Sequence, residues 1–195
     1  MKIRFRKRDL ANCLSLLGHP FVVLPLAITI ALAPHLTPAR LLFVVLVYMG
    51  LTILPLLLLI HRRVRSGHWS DRDVSDAGQR QHFYLWILLV LALSIPLFWL
   101  MRLPSALIIG TLVSLGLLGL GLLINLRSKI SMHMMLGTYC AAIVGRVHLG
   151  FAFVALVLLF AVGWSRLFLG RHTLLEVTSG VFLGMVAGIG LVWLT

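Results

Sequence analysis

Acidic side chains are scarce in this sequence, and that scarcity limits what the chain can be. Only five of its 195 residues are Asp or Glu, and charged residues of both signs together make up 11%. Soluble domains carry about 25% charged residues, whereas 61% of this chain is hydrophobic and its mean hydropathy is +1.07. This composition excludes an ordinary soluble domain and predicts a protein that crosses a membrane several times.

Cysteines are also rare, and no strand pattern is present in the sequence. Cys13 and Cys140 lie far apart in apolar surroundings, so the sequence predicts neither a disulfide framework nor a cysteine metal site. No segment alternates between apolar and polar residues, and helices satisfy their own backbone inside a bilayer. We therefore expect an all-α, polytopic helical bundle that forms a single membrane domain over residues 1–195.

Apolar runs long enough to cross the hydrocarbon, about 20 residues each, predict six to seven transmembrane helices. They fall at 20–36, 41–60, 83–101, 104–125, 133–146, 149–164 and 174–194. The basic start MKIRFRKRDL resembles a secretory signal, but no convincing small-residue cleavage site follows it. We interpret 1–60 as an N-terminal tail with two leading helices, the first of them uncleaved.

The last predicted helix carries a regular glycine pattern. Gly180, Gly184 and Gly188 recur at four-residue spacing and form one smooth face. Such a face lets another helix approach closely. Tight helix packing is a sufficient explanation for these glycines.

Positive charge is unevenly distributed along the chain. With seven spans, the N-terminus and segments 61–82, 126–132 and 165–173 share one side, which then carries fourteen of the seventeen Lys and Arg residues. The positive-inside rule places that side in the cytoplasm, and we expect the cell (inner) membrane. The net charge of +12 resides in loops without interleaved aromatics, so membrane lipids or a phosphorylated substrate are expected partners rather than nucleic acid. The sequence does not indicate an oligomeric state.

One polar cluster lies in WSRLFLGRHTLLE, residues 164–176. Glu176 follows His172 by four residues, which on a helix places both side chains on one face. A carboxylate that accepts one imidazole proton makes the other ring nitrogen a better nucleophile or base. Alternatively, Glu176 pairs with Arg171 or Arg166 at the membrane interface.

Two further polar clusters precede it. In the segment 126–135, Arg127, Lys129, Ser131 and His133 lie just before a short apolar helix, where backbone N–H groups attract anions. A simpler interpretation of this segment is a loop with an interfacial histidine. The segment 70–84 holds three aspartates beside Arg72 and Arg80 and is either a solvated connector or a cation site, although it matches no calcium loop.

These residues resemble the motifs of the type-2 phosphatidic acid phosphatase and vanadium haloperoxidase superfamily over roughly residues 70–185. Ser165-Arg166, then His172, then Glu176 reproduce the spacing of its last motif, with Glu in place of Asp. Ile130-Ser131-Met132-His133 keeps the Ser and His of the Pro-Ser-Gly-His motif. Arg80 is similar to the arginine of the first motif, whose lysine position holds Asp73, with Arg72 one residue earlier. Ser66-Gly67-His68 imitates the middle motif but precedes Arg80, against the family order.

The resemblance implies phosphoryl transfer through a phosphohistidine, without a metal or cofactor. His172 would be the nucleophile, Glu176 its orienting partner and His133 the general acid. Arg80, Arg166, Lys129, Ser131 and Arg72 would hold the phosphate oxygens. Positive charge around the equator and a histidine at each pole suit a phosphoryl transition state.

The expected function is therefore a membrane-embedded phosphatase acting on a lipid phosphate or diphosphate, such as phosphatidic acid, phosphatidylglycerol phosphate or a polyprenyl phosphate. Transfer of the phosphoryl group to another lipid and a catalytically silent anionic-lipid-binding protein remain alternatives. Haloperoxidase chemistry is disfavoured because the relatives that perform it are soluble. For the other histidines, His19, His35, His61, His82 and His148, we expect interfacial or loop roles.

Overall fold

A computed structural model describes residues 6–71, 74 and 76–195 and confirms the all-α fold. The helices are α1 (Lys7–Leu17), α2 (Pro20–Leu32), α3 (Pro38–Tyr48), α4 (Leu54–Arg65), α5 (Ala77–Leu100), α6 (Ser105–Asn125), α7 (Met132–Val147), α8 (Leu149–Phe168) and α9 (Leu174–Leu194). A 3-10 turn, Ala33–His35, follows α2, and a π-helical turn, Met49–Ile53, joins α3 to α4. No strand occurs among the described residues.

The chain is an integral membrane protein by the length and composition of its helices. Within the described residues, five helical stretches are long and apolar enough to cross a bilayer: Pro38–Arg65, Gly78–Leu100, Ser105–Asn125, Leu149–Phe168 and Leu174–Leu194. A sixth results if Lys7–Leu17 and Pro20–His35, which meet at a bend of 48°, count as one span. Large apolar side chains are exposed along these helices, as Phe160 and Trp193 illustrate, and a lipid surrounding accommodates them.

Two details of the predicted span map differ from the structure. Residues 7–17, expected in an N-terminal tail, form α1. The fifth predicted span, 133–146, corresponds to α7, whose 16 residues extend about 24 Å against a hydrocarbon core of about 30 Å. The described helices are long and apolar enough for five spans, or for six if the bent pair counts as one, which agrees with the lower figure of the six to seven expected. The assignment of the basic side to the cytoplasm stays a prediction.

The described chain divides into two compact units. The first takes in the described residues up to Ala31 together with Ile130–Trp193, and the second takes in Leu32–Lys129 with the last two residues. The predicted phosphatase-like core, 70–185, draws on both units.

The second unit contains α3 to α6. Pro55 stands near the start of α4 and has no N–H to donate to the preceding turn, and the helix widens there into the π turn. Asp76 caps α5 by accepting the Gln79 backbone N–H at 2.9 Å, so this member of the acidic loop has a structural role. α5 and α6 then pack side by side.

The first unit is organised by the close approach of α9 to α7. A Cβ added to Gly180 would lie 2.7 Å from the Ser131 carbonyl oxygen, and one added to Gly188 would lie 2.5 Å from the Ala142 Cβ. At Gly184 the added atom would overlap the Met135 carbonyl oxygen. The predicted glycine face is thus confirmed, and α7 is the helix that packs on it.

Replacing Gly184 with alanine should separate α7 from α9. The new methyl group meets rigid backbone, so we expect a loss of about 1–3 kcal/mol in stability, measured by thermal unfolding in detergent. Gly190 lies on the same helix with no atom within 4 Å of an added Cβ, and Gly190→Ala is the matched control. Equal melting temperatures for the two variants would contradict the close α7–α9 contact.

Candidate functional site

His172 and Glu176 form an ion-pair-like contact at the start of α9. The His172 Nδ1 and a Glu176 carboxylate oxygen lie 2.7 Å apart, with 7% and 18% of the respective side chains exposed. A carboxylate can only accept, so the contact places the imidazole proton on Nδ1 and the lone pair of the neutral ring on Nε2. The predicted contact between His172 and Glu176 is therefore present, although His172 precedes α9 and does not share a helix face with Glu176.

The turn between α8 and α9 fixes where His172 lies. Gly170 has a φ of +65°, and the Gly170 N–H donates to the Leu167 carbonyl while the Arg171 N–H donates to the Arg166 carbonyl. This is a Schellman motif, in which glycine adopts the left-handed conformation that other residues disfavour. The Thr173 hydroxyl then accepts the Glu176 N–H at 3.3 Å and caps α9. His172 thus sits between a defined helix end and a defined helix start.

The middle cluster meets the last one through the backbone. The Ser131 N–H donates to the Glu176 carbonyl oxygen at 3.1 Å, which joins the beginning of α7 to the first turn of α9. Below this contact Met134, Val162 and Val177 form a small apolar core from α7, α8 and α9. The structure therefore brings Ser131 and Glu176 together although they lie 45 positions apart in the sequence.

The Ser131 hydroxyl is fully buried at this junction. Within the part of the chain that the structure describes, its oxygen has no hydrogen-bond partner. A buried hydroxyl without a partner costs about 1–3 kcal/mol. An anionic oxygen bound at this position would accept its proton and recover that cost.

His133 is buried near the start of α7 and packs against a second histidine. Its ring and that of His19 meet edge to face, with centroids 5.0 Å apart. The His19 Nδ1 accepts the Phe21 backbone N–H at 3.2 Å, which places the proton of the neutral His19 ring on Nε2. His19 lies in the loop between α1 and α2, as expected for it, and its contact with His133, 114 positions away, is one that no local spacing marks.

Arg166 is buried and anchored to α1. One of its terminal nitrogens donates to the Ser15 hydroxyl at 2.7 Å, and 3% of the residue is exposed. Its carbonyl also receives the N–H groups of Arg171 and His172. Arg166 therefore connects α1, the end of α8 and the backbone of the candidate nucleophile. Sequence reasoning missed Ser15 because α1 was expected to be part of a tail.

The remaining predicted phosphate ligands lie elsewhere in the chain. Arg80 belongs to the second unit, where its guanidinium donates to the Val74 carbonyl at 3.4 Å and to the Asn125 side-chain oxygen at 3.5 Å. Lys129 is half-buried at the end of that unit, after α6. Arg72 lies outside the described residues. Within the first unit, the structure thus brings together four predicted site residues, His172, Glu176, Ser131 and Arg166. His133 belongs to the same unit and lies at the start of α7.

Ser66-Gly67-His68, the imitation of the middle motif, lies at the end of α4 in the second unit. The Ser66 hydroxyl and the His68 Nδ1 are 2.8 Å apart on an exposed turn. Three arginines of the last turn of α4 surround this turn with positive charge. The contact is local and does not include any residue of the last motif.

No protein-family model, curated protein or solved structure matches this chain. Among the described residues, no group of three or more His, Cys, Asp and Glu side chains is arranged to hold a metal ion. What the first unit does offer is an oriented imidazole, a second buried histidine, a buried arginine and a buried serine hydroxyl.

Gly170→Ala should loosen the turn that positions His172. The added methyl group has open space, so the expected loss of about 1–2 kcal/mol comes from the left-handed backbone alone. Gly170→Asn should lose less, because asparagine tolerates this conformation. Thermal unfolding in detergent measures both, with Gly119→Ala in α6, where an added Cβ also has open space, as the control. A Gly170→Ala variant as stable as wild type would contradict the assigned turn.

Proposed function

We propose that this protein is a membrane-embedded, metal-independent phosphatase that removes phosphate from a lipid phosphate or diphosphate through a phosphohistidine intermediate. The observation that carries the proposal is the 2.7 Å contact of the His172 Nδ1 with Glu176, together with the Ser131 N–H bonded to the Glu176 carbonyl. A buried imidazole oriented by a carboxylate is the arrangement of an activated nitrogen nucleophile. The motif resemblance to the type-2 phosphatidic acid phosphatase superfamily supports the same chemistry.

In the first step the His172 Nε2 attacks the phosphorus atom. A P–N bond forms while the bond from phosphorus to the lipid oxygen breaks, and the protonated His133 gives its proton to the departing oxygen. Glu176 stabilises the imidazolium character that develops on His172, as a carboxylate behind an imidazole does in other covalent mechanisms. The lipid alcohol, or lipid monophosphate from a diphosphate, leaves.

In the second step water attacks the phosphohistidine. His133, now neutral, takes a proton from that water, the P–N bond breaks, and inorganic phosphate leaves with His172 restored. Negative charge on the equatorial oxygens requires nearby donors throughout. Arg166 and the Ser131 hydroxyl are the donors that we assign in the first unit, and the roles of Arg80, Lys129 and Arg72 stay predictions of the resemblance.

The burial of Arg166 favours a role in charge stabilisation. A cation held inside a membrane protein is costly unless it meets negative charge or hydrogen-bond acceptors. The Ser15 hydroxyl is a neutral acceptor for this guanidinium, and an arriving phosphate dianion would add negative charge beside it. This accounts for an arginine on the inner face of α8 at its end.

Substituting His172 should abolish turnover without unfolding the protein. The assay is release of inorganic phosphate by the purified protein in detergent, from phosphatidic acid, phosphatidylglycerol phosphate and a polyprenyl diphosphate. We expect His172→Ala to lose at least about a thousandfold in rate and Glu176→Gln about a hundredfold or more. Glu176→Asp retains the charge and should lose less than Glu176→Gln.

The matched control for these variants is His35→Ala, which removes an exposed histidine of the 3-10 turn. Phosphate release by wild type and His35→Ala, but not by His172→Ala, supports the proposal. Product analysis with an added acceptor lipid identifies a phosphotransferase if phosphate appears on that lipid instead of in solution. Absence of turnover in every folded variant, including wild type, would overturn the proposal in favour of an anionic-lipid-binding protein.

Turnover should persist in the presence of a chelator and be inhibited by vanadate. The mechanism uses histidines and cations of the chain itself, and vanadate adopts the five-coordinate geometry of the transferring phosphate. Inhibition is measured as the loss of phosphate release at increasing vanadate, with EDTA present throughout. Loss of activity with EDTA and its return with magnesium would contradict the histidine mechanism.

A further inference from the structure

An apolar groove runs through the first unit beside His133. It is lined by residues of α1, α2, α7 and α8 and encloses about 150 Å³. Its floor is buried, as Ala27, Cys140 and Val144 show, while the side chains along its rim, such as Leu26 and Val154, are exposed. We call this feature the α7–α8 groove. A groove with apolar walls and an open rim accepts an apolar molecule.

The lining residues follow one face of each helix. On α7 they are His133, Gly137, Cys140, Ala141 and Val144, and on α8 they run at the same helical spacing from Phe151 to Val162. Each set spans twelve residues, and the eleven steps between the first and the last correspond to about 16 Å at about 1.5 Å per step. Half of a hydrocarbon core of about 30 Å has nearly the same depth. The groove therefore matches the length of a chain that reaches through one leaflet.

The groove is apolar along its length and becomes polar at one end. Every lining residue is apolar except His133, which lies at the α7 start. A Cβ added to Gly18 or Gly137 would meet the Val162 or Leu159 side chain, so these glycines let α8 side chains pack closely along the groove. An occupant of the groove is thus hydrocarbon over most of its length and presents a polar group at the His133 end.

We propose that the α7–α8 groove binds one linear hydrocarbon chain of the lipid phosphate and thereby sets the chain-length preference of the enzyme. The inference rests on the proposed phosphatase function, because His133 is there the acid that protonates the leaving lipid oxygen. A chain seated in the groove brings that oxygen to the His133 end. Substrate recognition then has two parts, a phosphate held near His172 and a tail held along α7 and α8.

Filling the middle of the groove should shorten the tail that it accepts. Ala141 lies eight residues beyond His133, about 12 Å along α7. With phosphatidic acids bearing palmitoyl or hexanoyl chains as probes, we expect Ala141→Phe to lower kcat/KM for the palmitoyl lipid by about tenfold or more while changing that for the hexanoyl lipid little. Ala155→Phe, which fills the groove from α8, should show the same selective loss.

The matched control is Val157→Phe, which enlarges an exposed side chain of α8 that does not line the groove. Photo-crosslinking of palmitoyl phosphatidic acid with a diazirine near the end of its chain is measured in parallel, because it does not require turnover. We expect the label on α7 and α8 peptides in wild type and its reduction in Ala141→Phe but not in Val157→Phe.

The two proposals fail in different ways. The groove proposal is overturned if all three variants turn over both lipids with the same fractional loss of kcat/KM. It is also overturned if the label spreads evenly over the exposed helix faces. Either result leaves the phosphatase proposal intact. A label confined to α7 and α8 without turnover of either lipid would retain the tail site and overturn the phosphatase. If Ala141→Phe does not fold, Ala155→Phe and the label on wild-type protein decide the matter.

Discussion

The first unit depends on the direct backbone contact between α7 and α9. Only glycine at 180, 184 and 188 lets the two helices come this close, because each added Cβ would meet α7. In a membrane, where apolar side chains gain little by leaving lipid, such close packing is a main source of helix association. The contact also places the Ser131 N–H against the Glu176 carbonyl. The contact that packs α7 against α9 therefore also holds Ser131 beside Glu176 in the candidate site.

Polar groups inside this unit are arranged in contacts that reduce the cost of burial. His172 meets Glu176, Arg166 meets Ser15, and the backbone of the α8–α9 turn is satisfied by its Schellman motif and the Thr173 cap. Intramembrane ionisable residues are rare because each is expensive. Membrane anchoring does not require that one of the five carboxylate side chains of this protein lie beside a buried histidine. The proposed phosphatase chemistry would give that placement a reason.

The two proposals assign the phosphate group and the tail of the lipid to two different kinds of surface. Helix termini supply backbone donors, caps and charged side chains, so the phosphate belongs where α7 and α9 begin and α8 ends. Helix faces supply small and apolar side chains, so the tail belongs along α7 and α8. His133 lies on the boundary, since it is both the first lining residue of the groove and a neighbour of the His19 ring. The bond that breaks would lie at that same boundary.

The sequence by itself determined the all-α membrane fold and the glycine face of α9, because hydropathy and four-residue glycine spacing are local properties of a helix. It also predicted the His172–Glu176 pair, but that pair forms across the start of α9 and not along one helix face, since His172 precedes the Thr173 cap. Only the tertiary structure decided that α1 is a helix, that α7 is too short to count as a full span, and that Ser15 and His19 contact Arg166 and His133. Those contacts join residues more than a hundred positions apart. They follow from how helices pack against one another, which no local spacing encodes.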